Sequence, residues 1–173
     1  ECLRSLVSQT APIPIYLSIS FATTEIREET LNQIHPDAIQ SEYLNIRVRE
    51  QKTAQMRHYF LIHAEIHQLH KWVMFCDDDD TYHPDRTQHF MKTILSTQTH
   101  IDLVNAGRDD TLPTLKFAGL YENIAQPTHH TKRHEYWCYC IRMDLLTRFF
   151  NVVEPAMGVL DDRCCDVLFA EYL

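Results

Sequence analysis

Short apolar runs alternate along this chain with polar-rich helical patterns, and this alternation limits the folds available to it. The apolar runs are short and rich in β-branched or aromatic residues, which is typical of strands covered on both faces. The predicted strands are Ile13–Phe21, Leu44–Arg49, Trp72–Cys76 and Ile101–Ala106. The predicted helices are Thr24–Ile34, Thr53–Leu69 and Pro84–Leu95. Strand-helix alternation of this kind predicts right-handed crossovers and an α/β fold with a mostly parallel sheet flanked by helices.

The second half of the chain has a weaker pattern. It indicates one more strand over Tyr136–Met143, a closing helix over Leu160–Leu173 and a polar loop over 126–134. No repeat or linker divides the 173 residues, so we expect a single domain over 1–173. The opening segment ECLRSLVSQT reads as part of an amphipathic helix and does not begin with Met, so we expect that a first strand is missing ahead of it.

Charge and cysteine usage exclude several classes of partner. The formal charge of −8 argues against nucleic acid as the main partner. No apolar run is long enough to span a bilayer, and no signal-peptide pattern opens the chain. The six cysteines have spacings that fit neither a zinc site nor a disulfide framework. These features together predict a cytoplasmic protein with reduced cysteines and no membrane span.

Four consecutive aspartates, Asp77–Asp80, directly follow the third predicted strand. Ligands of open α/β sheets bind at the carboxyl ends of the strands, so this position is a candidate site. Adjacent carboxylates repel each other unless a cation lies among them. The chain has only three glycines and no glycine-rich phosphate loop, so a bound nucleotide would need another source of positive charge. Carboxylate oxygens suit Mg²⁺ or Mn²⁺, and the alternative is a solvated acidic turn that caps the next helix.

Alternation along an extended chain predicts that Asp77 and Asp79 point to the same side and share a metal ion. His63 and His67 lie four residues apart on a predicted helix, but the zinc-protease pattern requires Glu where Ala64 stands. We therefore interpret these two histidines as ordinary residues of a helix surface.

A second acidic pair, Asp161-Asp162, opens the predicted closing helix. Carboxylates at a helix start commonly cap it, and one of them can also serve as a general base at a site. Two adjacent residues at a helix start point in different directions. One can therefore cap the helix while the other faces the site.

Several segments resemble family 2 glycosyltransferases with the GT-A fold. FCDDDDTYHPD is similar to the apolar strand, D-x-D-D and Pro pattern of that family, and ECLRSLVSQT resembles the helix after its first strand. KTAQMRHYFLIHA resembles the start of its nucleotide-contacting helix. YCIRMDLLTRFF and GVLDDRCCDVLF resemble its distal strand and the acidic helix that carries the catalytic base. The order of the segments agrees over nearly the whole chain, although the family has Glu-Asp where this chain has Asp-Asp.

The resemblance implies a GT-A fold and a metal-dependent, inverting transferase of the hexosyltransferase type. The donor would be a nucleoside-diphosphate sugar, with UDP-sugar expected, and the acceptor a hydroxyl of a glycan or glycoconjugate. The cofactor would be Mn²⁺ or Mg²⁺, held by Asp79 together with Asp77.

The resemblance also assigns roles around the donor. Asp77 and Asp78 would contact the nucleotide sugar, and Arg57 and Lys52 would neutralise its phosphates. Within the acidic pair, Asp162 would be the base that takes the acceptor proton. Asp161, the other catalytic candidate, would then be the residue of the pair that caps the helix.

Two other functions remain open from the sequence. A nucleotidyltransferase acting on a sugar phosphate could use a similar sheet and similar carboxylates, with attack at phosphorus. A non-catalytic module could bind a nucleotide sugar without turnover.

Overall fold

The computed structural model describes residues 1–34, 41–96, 103–107, 119–120 and 139–172, with backbone alone over 103–107 and 119–120. The helices are α1 (Cys2–Val7), α2 (Thr24–Gln33), α3 (Gln55–Ile66), α4 (Arg86–Ser96), α5 (Met143–Val153) and α6 (Cys165–Tyr172). The strands are β1 (Ile15–Ile19), β2 (Leu44–Val48), β3 (Trp72–Met74), β4 (Leu103–Gly107), β5 (Gly119–Leu120) and β6 (Tyr139–Arg142). A 3₁₀ helix, Glu154–Asp161, joins α5 to the last turn before α6 and is kinked at Ala156. The protein is therefore a mixed α/β structure, as the alternation predicts.

The described strands form two sheets rather than one mostly parallel sheet, and this part of the prediction is wrong. β1 and β2 pair in parallel, whereas β3, β6, β4 and β5 form a second sheet in that order with antiparallel pairs. The reason is the position of β6, which lies between β3 and β4 and runs opposite to both. β3 and β4 thus run in the same direction, as crossover connections require, but they exchange no hydrogen bonds with each other.

The core lies where β6 and three helices meet. α5 places apolar side chains on one face, and Leu146, Phe149 and Phe150 are almost fully buried there. Phe149 contacts Phe169 of α6, with ring centroids 4.7 Å apart, and Phe150 contacts Phe60 of α3 at 5.2 Å. This packing attaches α3 and α6 to the second sheet, and both helices border the candidate site described below.

The N-terminal segment is joined to the loop that follows β3. Gln9, which is 8% exposed, accepts hydrogen bonds from the backbone and hydroxyl of Thr87 through its Oε1 atom. Its Nε2 atom donates to the carbonyls of Ser5 and His83. A buried amide that uses both its donor and its acceptor capacity holds α1 against the start of α4.

Several predicted boundaries differ from the observed ones. The closing helix begins at Cys165 rather than Leu160, because Glu154–Asp161 forms the 3₁₀ helix instead. α5 and β5 had no counterpart among the predicted elements. The predicted loop over 126–134 and the first residues of the strand over Tyr136–Met143 lie outside the described residues. In the described ranges, no helix has the length and apolar character needed to cross a membrane.

Candidate metal site and its surroundings

The four aspartates after β3 form a turn, Asp77–Asp80, that we call the aspartate turn. Asp77, Asp79 and Asp80 each offer a carboxylate oxygen, and the three oxygens lie within 4.8 Å of one another. Two oxygens on opposite sides of a Mg²⁺ ion are about 4.2 Å apart, so this spacing needs little adjustment to hold such a cation. The predicted pair Asp77 and Asp79 is thus brought together, and Asp80, only 3% exposed, joins it. Asp78 is exposed and lies outside this group.

The aspartate turn is fixed by contacts at its first residue. The side-chain amide of Gln55, at the start of α3, donates to Asp77 Oδ1 over 2.9 Å. The backbone N–H of Asp77 donates to the hydroxyl of Tyr82 over 2.7 Å. The carbonyl of Asp77 accepts from the thiol of Cys2 at 3.2 Å and from the Tyr82 hydroxyl at 3.4 Å. Asp77 is therefore held from three sides, by α3, by α1 and by the residue that closes the turn.

A buried arginine side chain lies next to the aspartate turn. Arg86, 3% exposed, donates to the carbonyl of Phe75 over 3.1 Å and lies 3.6 Å from the sulfur of Cys76. Its guanidinium carbon is 4.7 Å from the ring centroid of Tyr82 and 5.4 Å from that of Phe90. Burial raises the pKa of both Cys76 and Tyr82, and the positive charge of Arg86 opposes that shift. A permanent positive charge thus lies close to the start of the acidic segment, and the sequence reasoning did not identify it.

The negative charge of the aspartate turn contributes to a raised pKa at a neighbouring thiol. The pKa of the Cys2 thiol is raised to about 12, first by burial, then by Cys76 and the carboxylate of Asp78. The described cysteines form no disulfide with one another: Cys2, Cys76, Cys140, Cys164 and Cys165. Cys2 is therefore a protonated donor to the turn rather than a thiolate ligand.

Arg57, expected to meet donor phosphates, contacts the second acidic pair. Its Nε and one terminal nitrogen donate to the two oxygens of Asp161 over 3.0 and 2.6 Å, and the terminal nitrogen also donates to the carbonyl of Met157. The hydrogen bond with Asp161 raises the pKa of Arg57, and the same bond lowers the pKa of Asp161. A forked contact of this kind ties the end of the 3₁₀ helix to the first turn of α3. Lys52 is exposed in the segment before α3.

The division of roles within the acidic pair differs from the prediction. Oδ1 of Asp162 accepts from the backbone N–H of Cys164 over 2.8 Å, so Asp162 supplies the capping-type bond in the turn before α6. Asp161, expected to cap, binds Arg57 instead. The reason is the late start of α6, which leaves the pair in the preceding turn rather than in the first turn of the helix. Asp162 is exposed.

The histidines of α3 do not form a zinc site within the described residues. The Nε2 atom of His63 lies 2.8 Å from the hydroxyl of Thr147, and that hydroxyl donates to the carbonyl of Met143. With the hydroxyl proton used there, His63 donates through Nε2. Its lowered pKa of about 4 keeps the ring neutral near pH 7. Its ring stacks on that of His67 at 5.1 Å, and no described group of three or more potential ligands includes either residue.

A polar network at the carboxyl end of β1 was not predicted. His58 of α3 lies between two hydroxyls, with Nδ1 2.8 Å from Ser18 Oγ and Nε2 3.1 Å from Ser20 Oγ. Arg49 donates to the same oxygen of Ser18, and the backbone N–H of Thr53 donates to Ser20. Burial, followed by the charge of Arg49, lowers the pKa of His58. A neutral imidazole with two hydrogen-bonded nitrogens attaches α3 to β1, and we interpret it as structural.

Comparisons of this chain with models of protein families, with curated proteins and with solved structures give no match.

Proposed function

We propose that this protein is a metal-dependent, inverting glycosyltransferase of the hexosyltransferase type. It would move a sugar from a nucleoside-diphosphate sugar, with UDP-sugar as the expected donor, to a hydroxyl of a glycan or glycoconjugate. The observation that carries the proposal is the convergence of Asp77, Asp79 and Asp80 at the end of β3. The first turn of α3 contacts this group through Gln55 and the second acidic pair through Arg57, so one short stretch of helix touches both.

Mn²⁺ or Mg²⁺ would be held by Asp77, Asp79 and Asp80, whose hard oxygen atoms suit either ion. When bound, the ion would supply positive charge against the diphosphate of the donor as that group leaves. Gln55 limits the motion of Asp77, which keeps one of the three carboxylates oriented before any cation arrives.

The start of α3 offers further complementarity to a diphosphate. Ala54 precedes the helix and provides no side-chain cap, and the partial positive charge of a helix N-terminus favours an anion. The exposed ammonium group of Lys52 lies two residues earlier and adds a mobile positive charge. These groups supply what a glycine-rich loop supplies in other nucleotide sites.

Asp162 is the residue that we propose as the general base. Direct displacement at the anomeric carbon requires a group that takes the acceptor proton. Asp161 suits this role poorly, because its hydrogen bonds from Arg57 lower its pKa and occupy both of its oxygens. Asp162 is exposed, and its Oδ1 atom accepts the Cys164 bond, which leaves Oδ2 as the atom to receive the proton.

The first test is metal and donor binding to the purified chain. A ligand at one hundred times its Kd adds about 2.7 kcal/mol to the free energy of unfolding, which corresponds to roughly 5–10 °C in Tm for a chain of this size. Mn²⁺ together with the correct nucleotide sugar should produce such a shift, and EDTA should abolish it. Asp79→Ala should remove the shift that Mn²⁺ alone produces, whereas Asp78→Ala, in the same turn but outside the cluster, should retain that shift. Full activity in excess EDTA would contradict the proposal.

The products distinguish the proposed reaction from the alternatives. Slow donor hydrolysis that releases a free nucleoside diphosphate is expected of a glycosyltransferase without acceptor. Release of pyrophosphate from a nucleoside triphosphate and a sugar phosphate would identify a nucleotidyltransferase instead. Binding of the nucleotide sugar with no turnover toward any acceptor would identify a binding module.

A further inference from the structure

Four adjacent carboxylates repel one another, so the aspartate turn needs an internal restraint to keep three of them together before a cation binds. Repulsion between unit charges about 4 Å apart is on the order of 1 kcal/mol in water and several times larger near a protein surface. Asp80 is also almost completely removed from solvent, which increases the cost of its charge. The restraint should therefore lie beside the turn.

Tyr82 closes the turn with its side chain. Its hydroxyl accepts the N–H of Asp77 at 2.7 Å and faces the carbonyl of the same residue at 3.4 Å. The residue that follows the aspartates by two positions thus bonds back to the first aspartate. The ring is 1% exposed, and the Tyr82 backbone N–H donates to Ser5 Oγ of α1 at 3.1 Å. Both the side chain and the backbone of Tyr82 are therefore fixed.

The guanidinium of Arg86 lies over the ring of Tyr82. It lies 4.7 Å from the ring centroid, a distance typical of cation–π contact. Its hydrogen bond to the carbonyl of Phe75 fixes its position relative to the segment that leads into the turn. The contact stabilises the ring and places positive charge next to the acidic segment.

We infer that Tyr82, supported by Arg86, is a positioning residue that holds the aspartate turn in the conformation that binds a divalent cation. This inference rests on the proposed metal site. Tyr82 contributes no ligand atom. Its hydroxyl sets the path of the backbone at Asp77, and through it the distance from Asp77 to the carboxylates of Asp79 and Asp80. Residues that orient metal ligands commonly change metal affinity by about 10- to 100-fold when altered.

The test is the affinity of the full chain for Mn²⁺ alone, measured from the electron paramagnetic resonance signal of the free ion. Tyr82→Phe removes the hydroxyl and keeps the ring over which Arg86 lies. We expect it to raise the Kd for Mn²⁺ at least about tenfold. Tyr59→Phe is the matched control, since the Tyr59 hydroxyl donates to the carbonyl of Cys76, one residue before the turn, at 3.4 Å. We expect the Kd of this control to remain within about twofold of the parent value.

Thermal unfolding of each variant separates positioning from a general loss of stability. A folded Tyr82→Phe variant that binds Mn²⁺ as tightly as the parent would overturn the inference, even if its Tm fell. If Tyr82→Phe does not fold, Ser5→Ala removes the bond to the Tyr82 backbone and leaves the phenol in place. It should then raise the Kd by a smaller factor, and an unchanged Kd would overturn the inference in that case. Failure of the parent protein to bind Mn²⁺ would instead refute the metal site of the proposed function, on which the inference depends.

Discussion

The buried histidine of α3 should make the stability of this protein depend on pH. His63 is 8% exposed and packs against the rings of His67 and Phe150. Burial, followed by the influence of His67, lowers the pKa of His63 from 6.5 to about 4. Between these two values the unfolded chain binds a proton at this ring and the folded protein does not. The contribution of neutral His63 to the free energy of unfolding is therefore fully present above pH 6.5 and is lost as the pH falls toward 4.

The size of this pH-dependent change in the free energy of unfolding follows from the lowered pKa of His63. One pKa unit corresponds to about 1.36 kcal/mol, and the shift of His63 would be worth about 3 kcal/mol if it were fully expressed. Between pH 7 and pH 5 the linkage relation gives roughly 1.8 kcal/mol of this total. Solvent screening at the edge of the ring reduces the value, so we expect about 1 to 2 kcal/mol over that interval.

The assay is urea unfolding of the parent and of His63→Gln at closely spaced values between pH 7 and pH 5. Other titrating groups contribute similarly to both proteins, so the difference between their free energies of unfolding isolates the histidine. The free energy of unfolding of the parent minus that of His63→Gln should fall by about 1 to 2 kcal/mol from pH 7 to pH 5. Thr147→Val is the control, because it removes the acceptor of His63 and should cost about 1–3 kcal/mol at every pH while retaining the pH-dependent part. A constant difference between parent and His63→Gln would refute a neutral, buried ring.

Two further predictions concern the acidic pair. Arg57→Ala should speed amide hydrogen exchange over Glu154–Asp161, because it removes three hydrogen bonds to that segment, and Arg57→Lys should restore only part of the protection since lysine lacks the forked geometry. Unchanged exchange in both variants would mean that this contact does not restrain the 3₁₀ helix. Asp162→Asn should lower turnover by about 10²- to 10⁴-fold in steady-state kinetics and spare donor affinity measured by calorimetry. Asp161→Asn should speed exchange less than Arg57→Ala, because Arg57 keeps its bond to the Met157 carbonyl, and it should cause a smaller loss of turnover than Asp162→Asn. Near-normal turnover in Asp162→Asn would remove that residue as the base.

The sequence by itself determined the local elements in the first half of the chain. β1, β2 and β3 fall inside the predicted strands Ile13–Phe21, Leu44–Arg49 and Trp72–Cys76. Their short apolar runs are bounded by polar residues, and such signals act over a few neighbouring positions. The position of the aspartate turn after β3 followed for the same reason, because it depends only on where one strand ends.

The second half of the chain depended more on distant contacts. β6 passes into α5 without an intervening turn residue, since Arg142 ends the strand and Met143 begins the helix. Nothing in the local pattern separates the two elements. The antiparallel entry of β6 between β3 and β4 pairs Val73 with Ile141, which are far apart in sequence. Strand order of this kind depends on contacts between residues that are distant in sequence, and single-sequence periodicity carries no signal for it.

Most contacts at the candidate site were decided by the tertiary structure. Alternation along the chain brought Asp77 and Asp79 together in the prediction, but the burial of Asp80 in the same group depends on the packing around the turn. Arg57 was assigned to phosphate by its place in a motif, and it binds a carboxylate 104 positions away. A charged side chain binds the nearest opposite charge that folding brings to it. Sequence spacing defines only the set of possible partners.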